Sequence, residues 1–192
     1  MRYLVMGAGA LGSVFGGLLH QRGQPVDFIG RGAHFEHIIT RGLTIDGIWG
    51  EFQVGAVTPQ SGSAGRYDVI LLCVKSFDTQ AACRRVRGLL APAGLIVSVQ
   101  NGLGNLEIIA QEFGAARTIG ARVIFGSQII RPGVARVTVY AEPVLLGAMA
   151  PGSPHPLLGR LAADLNQAGI PALAVDDILP HLWGKVLYNC AL

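Results

Sequence analysis

The sequence predicts an α/β fold of the Rossmann type, a doubly wound and mostly parallel sheet with an antiparallel extension. Three observations carry this expectation. Short apolar runs alternate with amphipathic stretches over the first hundred residues, as in consecutive βαβ units. The first run ends in Gly7-Ala8-Gly9-Ala10-Leu11-Gly12, glycines spaced for a tight turn from strand into helix. The runs at 68–74 and 94–99 are apolar apart from Asp68 and Ser98, close to the pattern of parallel strands buried on both faces.

Taken in order, residues 2–6 read as a strand and 10–21 as a helix, with Leu11, Phe15 and Leu18/Leu19 at helical spacing. Residues 25–29 read as a second strand that stops at Gly30-Arg31-Gly32, and a second helix begins near Ala33. Residues 43–57 suggest two short strands around Asp46-Gly47, a hairpin-like insertion. A helix over 79–90 separates the two apolar strands. From Thr118 the texture becomes paired β runs, 119–130 and 134–140 around Arg131-Pro132-Gly133, then 143–147, which predicts the antiparallel extension. The Pro-rich stretch 151–156 is taken as a loop inside the domain, followed by a helix over 157–168 and a strand over 170–175. The last helix opens at Asp176-Asp177, acidic residues suited to a helix N-terminus, and runs to Leu192 without a C-cap.

Composition narrows the function. Of the 192 residues, 51% are hydrophobic, enough to fill a core and to exclude disorder. Only 14% are charged, against about 25% in soluble domains. Apolar surface is therefore expected to seek a partner or a further domain, a homodimer being one such arrangement. The net charge of +3 is spread along the chain without a basic stripe, so nucleic-acid binding is not expected. Cys73, Cys83 and Cys190 show no C-x-x-C spacing and read as buried structural thiols in a reducing compartment. His34 and His37 have no further ligand at metal spacing and read as surface or capping residues, with no metal site. Residues 3–19 are uncharged but contain five glycines, which weakens any membrane helix, and the run is shorter than a span of about 18. A cytoplasmic protein without a membrane segment is expected.

The glycine turn points to a dinucleotide. Gly7 permits the turn, Gly9 lets a pyrophosphate approach the backbone and Gly12 lets helix pack against strand. The helix beginning at Ala10 and Leu11 offers free N–H groups and a positive dipole end. A glycine-rich structural turn is the alternative. About 20 residues beyond the glycines, NAD enzymes place an acid, whereas this chain has Arg31. An arginine pairs with a 2′-phosphate that a carboxylate would repel, so NADP(H) is the expected cofactor unless Arg31 is simply solvated. Asp27, earlier in the strand, is expected to point aside.

Gly7 to Gly12, Ile29-Gly30-Arg31-Gly32, Val74-Lys75, Gln100-Asn101-Gly102-Leu103-Gly104 and Trp183-Gly184-Lys185-Val186-Leu187-Tyr188-Asn189 occur in an order that resembles the ketopantoate reductase family. That family lies within the 6-phosphogluconate-dehydrogenase-like enzymes, which have Rossmann N-domains and helical C-domains. The resemblance implies NADPH-dependent reduction of a small 2-keto acid. It implies that Lys75 and Asn101 hold the cofactor, with Asn101 also near the substrate. It implies that Lys185 is the general acid and Asn189 a substrate-binding residue. Lys75 and Asn101 each follow an apolar strand at its C-terminal end, where open α/β sheets bind ligands. Lys185 and Asn189 stand four apart on one helix and share a face.

Val186 departs from the family's usual leucine, and Trp183 is expected to pack. Residues 1–175 would be the dinucleotide domain and 176–192 the first helix of a truncated helical domain, whose serine and glutamate lie beyond this sequence. Its exposed apolar residues would include Ile178, Leu182 and Val186. An opine-type or other 2-keto acid dehydrogenase, and a catalytically silent NADP-binding sensor, are the rival readings.

Overall fold

The computed structural model describes residues 1–61, 66–149, 152 and 155–190. The elements are β1 (Tyr3–Met6), α1 (Ala10–Gln21), β2 (Val26–Ile29), α2 (Gly32–Thr40), β3 (Leu43–Gly47), β4 (Phe52–Val54), β5 (Thr58–Pro59), β6 (Tyr67–Leu72), α3 (Thr79–Val86), β7 (Leu90–Ser98), α4 (Asn105–Phe113), β8 (Thr118–Arg131), β9 (Val134–Ala148), α5 (Leu158–Gln167), β10 (Ala172–Val175) and α6 (Leu179–Cys190). Among the described residues one sheet contains all ten strands, in the order β4-β3-β9-β8-β7-β6-β1-β2-β5, with β10 also paired to β9. From β5 to β8 the strands run parallel, and β9 returns antiparallel to β8. The expected α/β architecture with an antiparallel extension is what the chain forms.

Alternation along the strands divides the core between the two faces. Tyr3, Val5, Val69, Leu71, Leu95 and Val97 are buried on the face covered by α1 and α5. Leu4, Met6, Ile70, Leu72 and Ile96 are buried on the other, beneath α3 and α4. The Tyr3 hydroxyl donates to Asp164 Oδ2 at 2.6 Å, which ties α5 to β1 through a buried charge-assisted bond. Among the described residues, no helix is long and apolar enough to cross a membrane.

Several elements differ from their sequence expectations. The β3–β4 hairpin turns between Gly47 and Phe52, so that Asp46-Gly47 end β3 rather than form the turn. Residues 44–47 pair in parallel with residues 134–137 of β9 and so extend the far edge of the sheet. Runs 134–140 and 143–147 are one strand. Pro143, which has no N–H, falls between Val137, where pairing to β3 ends, and Val144, where pairing to β10 begins. The helix expected over 79–90 ends at Val86 and gives way to a 3₁₀ turn at Arg87–Leu89, because Gly88 and Pro92 cannot sustain it. Helix α4 was not anticipated, although Leu106, Ile109, Ala110 and Phe113 have helical spacing. Of the loop expected at 151–156, only Gly152, His155 and Pro156 lie within the described residues. The end of the last helix at 191–192 lies outside them.

The last helix also corrects the burial expected for it. It begins at Leu179, two residues after Asp177, whose Oδ1 accepts from the Leu179 N–H at 2.9 Å. Ile178 is fully buried and Leu182 nearly so, rather than exposed. Gly120 and Gly147 face each other on β8 and β9 and leave a depression that Ile178 fills. A Cβ on Gly120 would lie 2.9 Å from Ile178. Val186 is half-buried. Trp183, expected to pack, is instead exposed with Leu187 and Tyr188, because 178 and 182 set the inward face and 183 and 187 fall outside it. Cys83 is buried, but Cys190 on the outer end of α6 is exposed. Burial pushes the Cys83 thiol up to about 11, while Cys73 is pushed higher by the same cause.

Candidate functional site

A continuous cleft follows the C-terminal ends of β1, β2, β6 and β7, and its position follows from the topology. Successive βα turns emerge at this edge, where the chain crosses to opposite faces of the sheet. One part, of about 420 Å³, is lined by the glycine turn, Arg31, Lys75 and α3. The adjoining part, of about 520 Å³, is lined by Gly9, Ala10, Leu11, Lys75, Asn101 and residues of β8.

The glycine turn is held by the backbone. The N–H groups of Gly7 and Ala8 donate to the Ile29 carbonyl at 2.9 and 3.2 Å, fixing the turn to the end of β2. Gly7 has φ +112°, which favours glycine. A Cβ on Gly12 would stand 2.1 Å from the Gly7 carbonyl oxygen, so only glycine fits between turn and helix. Among the described residues, a Cβ on Gly9 would meet nothing within 4 Å, because this position borders the open cleft. Among the described residues no side chain caps α1, and no acid lies in its first turn. Its N-terminal N–H groups therefore present unneutralised positive potential to the cleft. These features fit a phosphate-bearing dinucleotide.

Arg31 stands at the mouth beyond β2 with its side chain 91% exposed, and Nη2 lies 3.5 Å from Asp78 Oδ2. Asp27 is held aside, as expected: its Oδ2 accepts from Arg2 Nη2 at 2.8 Å and from the Tyr67 hydroxyl at 2.6 Å. Lys75 follows β6, is exposed, and borders both parts of the cleft.

Asn101 is positioned by groups that the sequence reading missed. Buried Gln100 donates through Nε2 to the Val74 carbonyl at 3.0 Å and to Thr79 Oγ1 at 2.8 Å, while its Oε1 accepts from Ser98. Buried Asn105 donates to the Asn101 carbonyl at 3.1 Å, and its Oδ1 is 2.9 Å from Thr79 Oγ1. This network joins the loop after β6 to the loop after β7. Its only sequence signal was polar Gln100 and Asn105 flanking Asn101.

Lys185 reaches across from α6. Its Nζ donates to Asn101 Oδ1 at 2.6 Å and to the Val123 carbonyl at 2.5 Å. Burial, and secondarily the positive charge of Arg122, lowers its pKa from the ordinary 10.5. Asn189 lies one turn further along α6 and is exposed. It is not among the described residues that line the cleft or that bond Lys185. Among the described residues, no group of three or more His, Cys, Asp or Glu could hold a metal.

His34 is neither a plain surface residue nor a helix cap. Its Nδ1 accepts from the Gly133 N–H at 3.1 Å, which leaves Nε2–H to donate to Ser13 Oγ at 2.9 Å. The ring thus joins α2, α1 and the β8–β9 turn.

The sheet order and the glycine-floored cleft define a Rossmann-type α/β domain. More particularly, the chain belongs to the ketopantoate reductase family, since residues 3–151 match the family described as Ketopantoate reductase PanE/ApbA. It is 32% identical to a 2-dehydropantoate 2-reductase of Aquifex aeolicus, matching all of this chain and 61% of that protein. The crystal structure of 2-dehydropantoate 2-reductase from Geobacter metallireducens superposes with TM-score 0.88 at 32% identity, over 98% of this chain and 62% of the other. The ternary structure of D-mandelate dehydrogenase with NADH and anilino(oxo)acetate shares the fold, with TM-score 0.83 at 24% identity, over 96% and 60%. The chain therefore spans about three-fifths of the length of these relatives.

Proposed function

We propose that this chain is the cofactor-binding portion of an NADPH-dependent reductase that converts 2-dehydropantoate to pantoate, in the cytoplasmic route to pantothenate and coenzyme A. The observation that carries the reading is the Lys185–Asn101 contact at 2.6 Å, which sets a partly buried ammonium beside a cleft fitted for a dinucleotide. A binding module has no use for an acid at that place.

In this reading Gly7 to Gly12 and the first turn of α1 hold the pyrophosphate. Arg31 receives a 2′-phosphate, and Lys75 and Asn101 hold the middle of the nucleotide. Bound NADPH would supply a hydride from its nicotinamide to the carbonyl carbon of the substrate. Lys185 then holds the proton at Nζ and delivers it to the carbonyl oxygen as negative charge grows there. Asn101 and Val123 aim the ammonium, and its partial burial lowers the cost of giving the proton up. Asn189 meets substrate from the same helix, and residues 176–192 begin the helical part that closes the substrate side.

The test is turnover of ketopantoate by the full-length protein with NADPH and NADH, alongside a panel of other 2-keto acids. Preferential reduction of ketopantoate with NADPH is the expected result. Preference for another keto acid would reassign the substrate, and nucleotide binding with no turnover of any would remove Lys185 from an acid role.

A further inference from the structure

The cleft contains a cation that the glycine turn and Arg31 do not account for. Helix α3 and the turn before it present Asp78, Ala81, Ala82 and Arg85 to the same 420 Å³ space as Arg31 and Lys75. The three- and four-residue spacing of these positions puts them on one side. Two small alanines leave room between Asp78 and Arg85. Opposite them, Arg31 spans the mouth to Asp78 at 3.5 Å, and both side chains remain in contact with water, 91% and 39% exposed.

Resting on the dinucleotide reading above, we propose that Asp78 and Arg85 are specificity-determining residues for the adenosine end of the cofactor. Asp78 competes with a 2′-phosphate for Arg31, and Arg85 supplies the second positive charge that this phosphate needs. The chemistry differs for the two dinucleotides. A 2′-phosphate takes Arg31 from Asp78 and is then repelled by the carboxylate left beside it. Arg31 and Asp78 together carry no net charge, so a further cation must offset that repulsion, and Arg85 stands on the same wall. A free ribose 2′-hydroxyl has no such conflict, because it donates to a carboxylate. Asp78 therefore favours the unphosphorylated cofactor, Arg85 favours the phosphorylated one, and their balance sets the preference.

The experiment is fluorescence titration of the chain with NADPH and with NADH, for wild type, Asp78→Asn and Arg85→Gln, at low and high salt. Asp78→Asn should tighten NADPH by about two- to fivefold, the scale of an exposed ion pair, and leave NADH unchanged or weaker. Arg85→Gln should weaken NADPH by about tenfold, less at high salt, with little change for NADH. Thermal melts of both variants would separate a loss of binding from a loss of fold. If wild type binds NADPH or NADH but both variants shift the two cofactors equally, or neither, this inference is overturned and the dinucleotide site stands. Wild type that binds neither nucleotide overturns both.

Discussion

Lys185 Nζ and Asn101 Oδ1 are 2.6 Å apart although 84 residues separate them in sequence. Ile178 seated over Gly120 and Gly147 brings α6 to the sheet, and the Gln100–Thr79–Asn105 network fixes the loop that carries Asn101. The pair thus depends on two separate packing arrangements, and disturbing either should act on the same chemical step.

Lys185→Ala in the enzyme should lower kcat by about 10² to 10⁴, the usual contribution of a general acid, with little change in cofactor affinity. As the proposed acid, Lys185 must be protonated, so activity should be lost as pH rises through a value below the ordinary lysine 10.5, since burial and Arg122 lower this pKa. Steady-state rates from pH 6 to 10 would show that limb. A flat profile, or wild-type turnover in the variant, would take Lys185 out of the mechanism.

Arg31→Asp should weaken NADPH much more than NADH. The expected difference is about 1.5 kcal/mol, the low end for a bond to a charged group, because Arg31 is 91% exposed and screened by solvent. Equal losses for the two cofactors would show that Arg31 does not read the 2′-phosphate.

Two glycines of one turn should respond in opposite ways. Gly12→Ala drives a Cβ to within 2.1 Å of the Gly7 carbonyl oxygen, a backbone atom that can move only with the turn, and should destabilise the fold by about 1 to 3 kcal/mol. Gly9→Ala meets no atom of the described residues within 4 Å and its φ of −87° suits alanine, so the melting temperature should hold. Its methyl group projects into the space assigned to the pyrophosphate, and nucleotide binding should fall sharply. Thermal melts and NADPH titration on both variants separate the effects, and unchanged binding by Gly9→Ala would place the phosphates elsewhere.

How far the sequence alone led depends on the range of the interactions involved. The turn at Gly7 to Gly12, and the strand ends that carry Arg31, Lys75 and Asn101, were legible because glycine spacing and apolar runs are local signals. The position of β3 was not, since its partner β9 lies some ninety residues away and a short hairpin fits many places. Burial of Ile178 was hidden because it depends on two glycines meeting across β8 and β9. The Gln100 network was obscured for a related reason: buried polar residues look like loop residues until their partners are known. Helix α4 differs from these, because its apolar spacing was present and a reading centred on Asn101-Gly102 passed over it.

The last prediction concerns pH and the His34 bridge. The neutral ring accepts from Gly133 through Nδ1 and donates to buried Ser13 through Nε2, and protonation would turn the accepting nitrogen into a donor facing another donor. Burial first, and then the neighbouring His37, lower the His34 pKa from the ordinary 6.5, with the Arg131 carbonyl partly offsetting them. The unfolded chain therefore binds a proton near pH 6.5 that the folded chain refuses, and stability should fall as pH drops from 6.5 towards the lowered value. Above 6.5 both states are neutral and the group contributes no slope. His155 is lowered in the same direction, by burial and Arg117, so wild type should show the sum of two contributions. Urea unfolding at pH 7.5 and 5.5 would measure it. His34→Gln should be less stable at pH 7.5, having lost the bridge, yet should lose less on going to pH 5.5 than wild type does. An identical pH loss in variant and wild type would mean that His34 is charged in the fold and that the hydrogen bond from Gly133 is not what holds the β8–β9 turn against α2.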